Sequence, residues 1–327
     1  MLLVFPDLQL LRIACFNFMG LDIRTAEFLL HCKNSGVSFI DSCTLGRQTV
    51  MLLPSELKRV KRWSGVDLFG SEFADQFFQS LGATPPHSMD ASPYEGADIL
   101  HNLNEEVPDE LKNRFDCLVD GGTLEHIFEF PSALRSCLSM VRSGGHLVIC
   151  NMANNHMGHG FYQFSPELFF SAFTPENGCK IKSIFLNDDG VWYRPLDPNQ
   201  AGHRMEARTR RCTTIFVCVQ RISDRKPLSA SPHQSDYRPM LPESTTTTDT
   251  GSFPDTRSLR QKIGAHFPGI RGALARWRAF KREYLYRTLP FYEEMDRRLG
   301  RFRGYCSRSL DNRSYFVKIG RRLPPTW

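Results

Sequence analysis

Residues 115–150 read FDCLVDGGTLEHIFEFPSALRSCLSMVRSGGHLVIC. The stretch opens on an apolar strand, FDCLVD, that stops at Gly121-Gly122. Pro131 fits the first turn of a helix in which Leu134, Cys137, Leu138 and Val141 recur at i, i+3, i+4 and i+7. Ser143-Gly144-Gly145 then stop that helix, and HLVIC forms the next strand. About 30 residues from strand to strand through one helix is the spacing of a βαβ crossover. Such crossovers are right-handed and build parallel sheets covered on both faces.

The same alternation extends outward. Thr25–Lys33 reads as a helix closed by Gly36, and Val37–Leu45 as a strand ending at Gly46. Ser55 is placed to cap SELKRVKRW, and a second helical run covers Ser71–Leu81. Short strands are expected at His87–Ala91 and Asp98–Leu103. Ser165-Pro166-Glu167 supplies an N-cap, a first-turn proline and an early acid for a helix over 166–173. Two further strands, KIKSIFL (180–186) and CTTIFVCVQ (212–220), flank an irregular loop and are expected to close the sheet as an antiparallel edge pair. The fold class is therefore α/β: a doubly wound, Rossmann-like, mostly parallel sheet with an antiparallel edge pair, plus a basic helical C-terminal tail. The expected organisation is an N-terminal helical segment (1–34), a Rossmann-like domain (35–222), a disordered linker (223–256) and the tail (257–327).

Composition narrows the class. The 327 residues are 41% hydrophobic and 23% charged, with a mean hydropathy of −0.34. These values exclude collagen-like, wholly disordered and membrane-embedded chains. No apolar run approaches the ~20 residues that span a bilayer. The opening MLLVFPDLQLLRIACFNF lacks a basic n-region and is expected to pack rather than act as a signal peptide. Ten cysteines form no CxxC and several lie inside apolar runs, which predicts buried free thiols and a cytoplasmic location. Ser, Thr and Pro fill 17 of the 34 positions from 223 to 256, too polar a stretch to offset its ordering entropy.

Charge divides the chain. From Arg257 onward there are 18 Lys+Arg against 5 Asp+Glu, so a mildly acidic body precedes a basic tail. In 270–288, Ile270, Leu274, Trp277, Tyr284 and Thr288 share a helical face ringed by Arg271, Arg276, Arg278, Lys281 and Arg282. That pattern fits either a helix on an anionic membrane surface, with the protein peripheral at the inner membrane face, or a solvated helix packed on the body. No RNA- or DNA-binding motif is present, so nucleic acid is not an expected partner.

In open α/β sheets, ligands bind beyond the carboxyl ends of the strands. Five polar loops lie there: Thr44–Gln48, Asp90–Ser92, Asn102–Asn104, Asp120–His126 and Asn151–Gln163. His156 and His159 form an HxxH pair, but no carboxylate or thiolate stands at ligand spacing in the sequence, so no metal site is expected. Asp90 also suits a plain turn cap beside Ser92 and Pro93.

Four segments in order, CTLGRQ, DASPYEGADILHNLN, DGGTLEH and GHGFYQFSPELFF, together with the later GG before a strand, resemble class I S-adenosylmethionine-dependent methyltransferases over about residues 35–222. The resemblance implies S-adenosyl-L-methionine as cofactor. Gly46, Arg47 and Gln48 would then approach its methionyl part, Asp90 the ribose hydroxyls and Asn102 the adenine. Asp120, Gly121, Gly122, Thr123 and Glu125 would form the wall between cofactor and acceptor. A hydroxyl acceptor gains from a base titrating near neutrality, which nominates His126 and His159. Asn154, Asn155, Tyr162 and Gln163 could bind a small or glycan-type acceptor.

The sequence departs from the family's pattern in two ways. It has one glycine after the first strand, and 44 residues separate Gly46 from Asp90, about double the usual ~20. Two readings therefore stand: methyl transfer, or a non-catalytic binding or scaffold protein with a degenerate cofactor loop. An NAD-dependent oxidoreductase is weaker because G-x-G-x-x-G is missing.

Overall fold

In the computed structural model the described residues are 20–201, 205, 207, 209, 211–237, 276, 310 and 315–324. The chain divides into two units, Met1–Ser235 with Ser309–Trp327, and Asp236–Arg308. All elements below belong to the first. The amphipathic stretch 270–288 lies outside the described residues, apart from Arg276.

The helices are α1 (Ile23–Asn34), α2 (Pro54–Ser64), α3 (Asp75–Ser80), α4 (Phe130–Met140), α5 (Pro166–Ala172) and α6 (Pro198–Ala201). The strands are β1 (Ser42–Leu45), β2 (His87–Asp90), β3 (Ile99–Leu100), β4 (Phe115–Asp120), β5 (Val141–Asn154), β6 (Cys179–Asp188), β7 (Val191–Pro195), β8 (Thr213–Arg221) and β9 (Phe316–Gly320). They form one sheet in the order β3-β2-β1-β4-β5-β8-β6-β7-β9. The first five are parallel to one another, and β8 lies antiparallel between β5 and β6. Order reverses between β1 and β4, which sets the ligand edge at the carboxyl ends of β1, β2, β4 and β5.

Alternation along the central strands separates two cores. Leu118, Leu147, Ile149 and Val217 face α4, where Leu134, Cys137 and Leu138 pack. Cys117, Val119, Val148, Cys150 and Phe216 face the other way, against Phe28 and Leu29 of α1, Val60 of α2 and Phe77 and Phe78 of α3. Every residue of β4 is buried. A parallel strand covered on both faces is mostly apolar, and in FDCLVD only Asp116 and Asp120 break the run. Trp192 of β7 is also fully buried, edge-on to Phe216 at 4.8 Å.

The structure corrects several expectations. The pair 180–186 and 212–220 is antiparallel but interior, because β7 and β9 continue the sheet beyond it. The loop between that pair holds β7, and the tail holds β9, so the end of the chain is not helical throughout. Residues 20–34 are not a separate appendage: α1 is part of the second core. Asp22 caps it, its Oδ1 accepting from the Arg24 and Thr25 amides at 3.1 and 2.7 Å, a contact worth about 1 kcal/mol. Helix α2 starts one residue before Ser55, on Pro54, with Glu56 accepting from the Leu53 amide at 2.9 Å. Helix α3 starts late because Glu72 and Phe73 pair with the loop after β1 instead of joining it.

Residues 222–237 have no regular structure, yet they are tied down. The Asn177 amide exchanges two bonds with Ala230 at 2.8 and 3.1 Å, and Glu167 accepts from the Ser235 amide at 2.7 Å. Buried polar groups hold this part of the linker where apolar side chains are scarce. The rest of it, from 238, lies outside the described residues. Seven of the described cysteines are buried free thiols and Cys212 is exposed. Burial pushes the Cys179 thiol up to about 12.

Candidate active site

The loop after β1 is fixed from three sides. Gly46 donates to the Met89 carbonyl at 2.7 Å, and Leu21 donates to Thr49 at 2.8 Å. On its far side Ala74 donates to Gln48 and Val50 donates to Glu72, each at 2.8 Å. The doubled spacing from Gly46 to Asp90 has a plain cause: α2 and α3 are both inserted between β1 and β2. This network, with a single glycine, sets the backbone path of the loop.

Gly46 has φ +68, and a Cβ there would point between Thr123 Oγ1 at 3.6 Å and Asp90 Oδ2 at 4.0 Å. The glycine therefore leaves a cradle between the ends of β1, β2 and β4. Asp90 is divided in use. Its Oδ1 accepts from the Ser92 amide at 2.9 Å, the turn cap, while Oδ2 faces the cradle. Thr123 fastens the opposite wall, donating through Oγ1 to the Leu45 carbonyl at 2.9 Å.

Arg47 and Gln48 lead away from the cradle. Arg47 pairs with Asp75 at 2.6 Å, reaches the Glu95 carbonyl at 3.3 Å and lies over the Phe73 ring. It clamps α3 to the loop after β2. Gln48 donates to the Leu45 and Gly46 carbonyls at 3.0 and 3.2 Å. Its amide lies directly over Gly121, where a Cβ would come within 2.0 Å of Oε1. Gly121 thus makes room for Gln48, and Gly122, with φ +103, makes the turn. Asn102 is exposed, and its Oδ1 accepts both the backbone and side-chain N–H of Asn104, at 3.1 and 3.0 Å.

Beyond the glycines lies a buried acidic centre. Asp120 and Glu125 are both fully buried. Asp120 Oδ1 accepts from the Thr123 and Leu124 amides at 2.8 and 3.2 Å. Asn151, also fully buried, donates through one Nδ2 to Asp120 Oδ2 at 3.0 Å and to Glu125 Oε2 at 2.8 Å. Burial, and then the neighbouring Glu125 charge, push the Asp120 carboxyl up to about 7. Asn151 is the residue that sequence reasoning missed. Its signal was position: it directly follows HLVIC, at the carboxyl end of a central strand.

The second oxygen of Glu125 meets the histidines. Oε1 lies 3.7 Å from His126 Nε2 and 3.5 Å from His159 Nε2, and the two rings are 5.2 Å apart. His126 arrives on the 3-10 turn Leu124–His126. His159 arrives from the loop after β5, which docks by donating from Phe161 and Tyr162 to the Glu125 carbonyl at 2.8 and 3.2 Å. Both histidines that the sequence nominated therefore share one carboxylate.

Of the four polar residues, three tie the loop after β5 to neighbouring segments and Gln163 bonds within it. Asn154 and Asn155 bond to Thr209, and Asn155 also to the Arg211 carbonyl. Tyr162 donates to the Phe128 carbonyl at 2.7 Å, and Gln163 accepts from the His156 amide at 2.8 Å. His156 is buried, its pKa lowered first by that burial and then by His159. Around the centre Phe128 and Phe161 stand exposed, edge to face at 6.0 Å.

No family model and no curated protein matches the chain. Solved structures to which it is similar include a candidate methyltransferase of Bacillus halodurans, 7% identical, with 59% of this chain and 97% of that one covered and a TM-score of 0.34. Another is the branched-chain polyamine synthase of Thermus thermophilus, 15% identical, with 62% and 58% covered and a TM-score of 0.33. The antibiotic-resistance methyltransferase Kmr is 13% identical, with 58% and 90% covered and a TM-score of 0.30. Methyltransferases are thus among the solved structures that the chain resembles.

Proposed function

We infer that the chain transfers a methyl group from S-adenosyl-L-methionine to a small-molecule acceptor held beside Glu125. The observation that carries this reading is the Gly46 cradle. It is bounded by Thr123 Oγ1 and Asp90 Oδ2, and Thr123 lies on the same turn as Glu125 and His126. A nucleoside with two ribose hydroxyls suits a carboxylate that keeps one oxygen turned into the cradle, and its tail suits a backbone stripped of Cβ. Gly46, Asp90 and Thr123 would hold it. Asn102, exposed at the end of β3, is the residue proposed to meet the adenine.

The cofactor supplies an activated methyl group on a sulfonium, so the protein must chiefly align the acceptor and keep water out. His126 and His159 are the groups positioned to receive a hydroxyl proton, and Glu125 steadies whichever imidazole carries it. Asn151 keeps the carboxylate in place by holding its other oxygen. Phe128 and Phe161 offer an apolar lip, which favours an acceptor with a ring face beside its hydroxyl; a sugar is one such acceptor. With the single glycine explained by an anchored loop, no observation favours the scaffold alternative.

Calorimetry with S-adenosylhomocysteine tests the reading. Binding is expected in the full chain, and a loss of tenfold or more in Asp90→Ala and Gly46→Val. Absence of heat with either form of the cofactor, from folded protein, overturns it. No helix among the described residues is long and apolar enough to cross a membrane. The anionic surface proposed for 270–288 is tested by vesicle co-sedimentation that falls with salt, using Arg→Gln changes at 271, 276 and 278 so that β9 is spared.

A further inference from the structure

We propose that Glu125, His126 and His159 bind one divalent transition-metal ion. This deepens the methyl-transfer reading, whose site it shares, but binding of the ion can be tested without it.

The carboxylate absent from the neighbourhood of HxxH in sequence is present in space. Glu125 Oε1 and one nitrogen from each of His126 and His159 lie within 4.8 Å of one another. Ligands at 2.0–2.1 Å around a tetrahedral ion stand about 3.3 Å apart. The two Glu125–histidine separations are 3.5 and 3.7 Å and all three ligand atoms lie within 4.8 Å, so the imidazoles must rotate toward each other to close the set.

Burial supplies an independent reason. Glu125 is fully buried, and its Oε1 has no hydrogen-bond partner among the described residues. His126 Nε2 is likewise shielded and without one. A buried carboxyl oxygen without a partner is costly, and a cation between it and the imidazoles removes the cost. The surrounding shell is already built. Asn151 fixes the other oxygen of Glu125, and Gly160 admits the His159 loop, since a Cβ there would lie 2.9 Å from Glu125 Cγ.

The donor set names the class of ion. Two imidazoles and one carboxylate suit zinc, cobalt, iron or manganese, whereas magnesium prefers oxygen alone. Three protein ligands leave coordination positions unfilled. An ion there would polarise an acceptor oxygen brought to the same place. With the ion bound, the two histidines would be its ligands and the acceptor hydroxyl, acidified by the ion, would lose its proton to water; without the ion they are the bases described above.

Full-length protein stripped with a chelator is titrated with Co²⁺ and read by visible absorption, with Zn²⁺ followed by calorimetry. One equivalent per chain is expected, with Glu125→Gln and His159→Gln each weakening it about 100-fold and Asn151→Ser about tenfold. His126→Gln changes the most exposed ligand and keeps the test valid if the buried variants fail to fold. Folded protein that gives no Co²⁺ spectrum and no Zn²⁺ heat overturns the proposal. So does unchanged affinity in folded His126→Gln, which would place the ion elsewhere. S-adenosylhomocysteine binding, measured on the same samples, reports separately on the cofactor reading: metal bound without nucleoside leaves only the latter refuted.

Discussion

Gly160 rests against Glu125 so closely that a Cβ would lie 2.9 Å from both its Cγ and its carbonyl oxygen. That contact seats the loop after β5 and delivers His159. Gly160→Ala should force the loop outward and destabilise the protein by about 1–3 kcal/mol. Urea denaturation of the two proteins measures this. An unchanged midpoint would mean that the loop is held by other contacts.

Asn151 restrains two buried carboxylates with one amide. Asn151→Leu keeps the branching at Cγ but leaves both acids without that donor, at an expected cost of about 3 kcal/mol. Asn151→Asp adds a third acid to the centre and should be no more stable than the Leu variant. Thermal unfolding of all three proteins at neutral pH gives the order.

His146, on β5 at the end remote from the site, is buried, and this burial, with Lys182 nearby, pushes its pKa down to about 4. The unfolded chain takes up this proton near pH 6.5 and the folded chain only near 4, so this stabilising contribution is complete above pH 6.5 and is lost as pH falls toward 4. The loss attributable to His146 is at most about 3 kcal/mol. Its variant His146→Gln should lose less stability than the parent between pH 6.5 and 4.5, read from urea midpoints at each pH. Parallel pH curves for the two proteins would refute the assignment.

Phe316 of β9 is 2% exposed and belongs to the same core as β4 and β5. Phe316→Ala should cost about 3–5 kcal/mol. Truncation at residue 308 should be worse, because it removes the whole strand that pairs with β7. Circular dichroism and chemical denaturation would show either; a truncated chain of full stability would contradict the pairing.

The central part of the fold was legible because its determinants are local. FDCLVD and HLVIC are runs long enough to be buried on both faces, and Pro131 and Gly121-Gly122 mark the turns. β7 and β9 were not legible, since each is short and draws its strand character from a partner far along the chain. At the site, Gly46 and Asp90 could be nominated by the family resemblance, and the two histidines by loop position and chemistry. That His159 would share Glu125 with His126 could not, because the docking depends on Gly160 and on backbone bonds between distant loops. Arg47 shows the converse: its place beside the glycine suggested a ligand, whereas Asp75 and Phe73 draw it to a bracing position.

The pairing of β9 with β7 also fixes an order of events during synthesis. A nascent chain emerging from the ribosome can assemble the strands up to β8 while β7 still presents an unpaired backbone edge, and that edge waits until residue 320 has been made. Exposed edges recruit other chains. The interval between Arg221 and Phe316 is therefore the time in which this protein is most open to mispairing, and slow translation through it would favour aggregates over folded product.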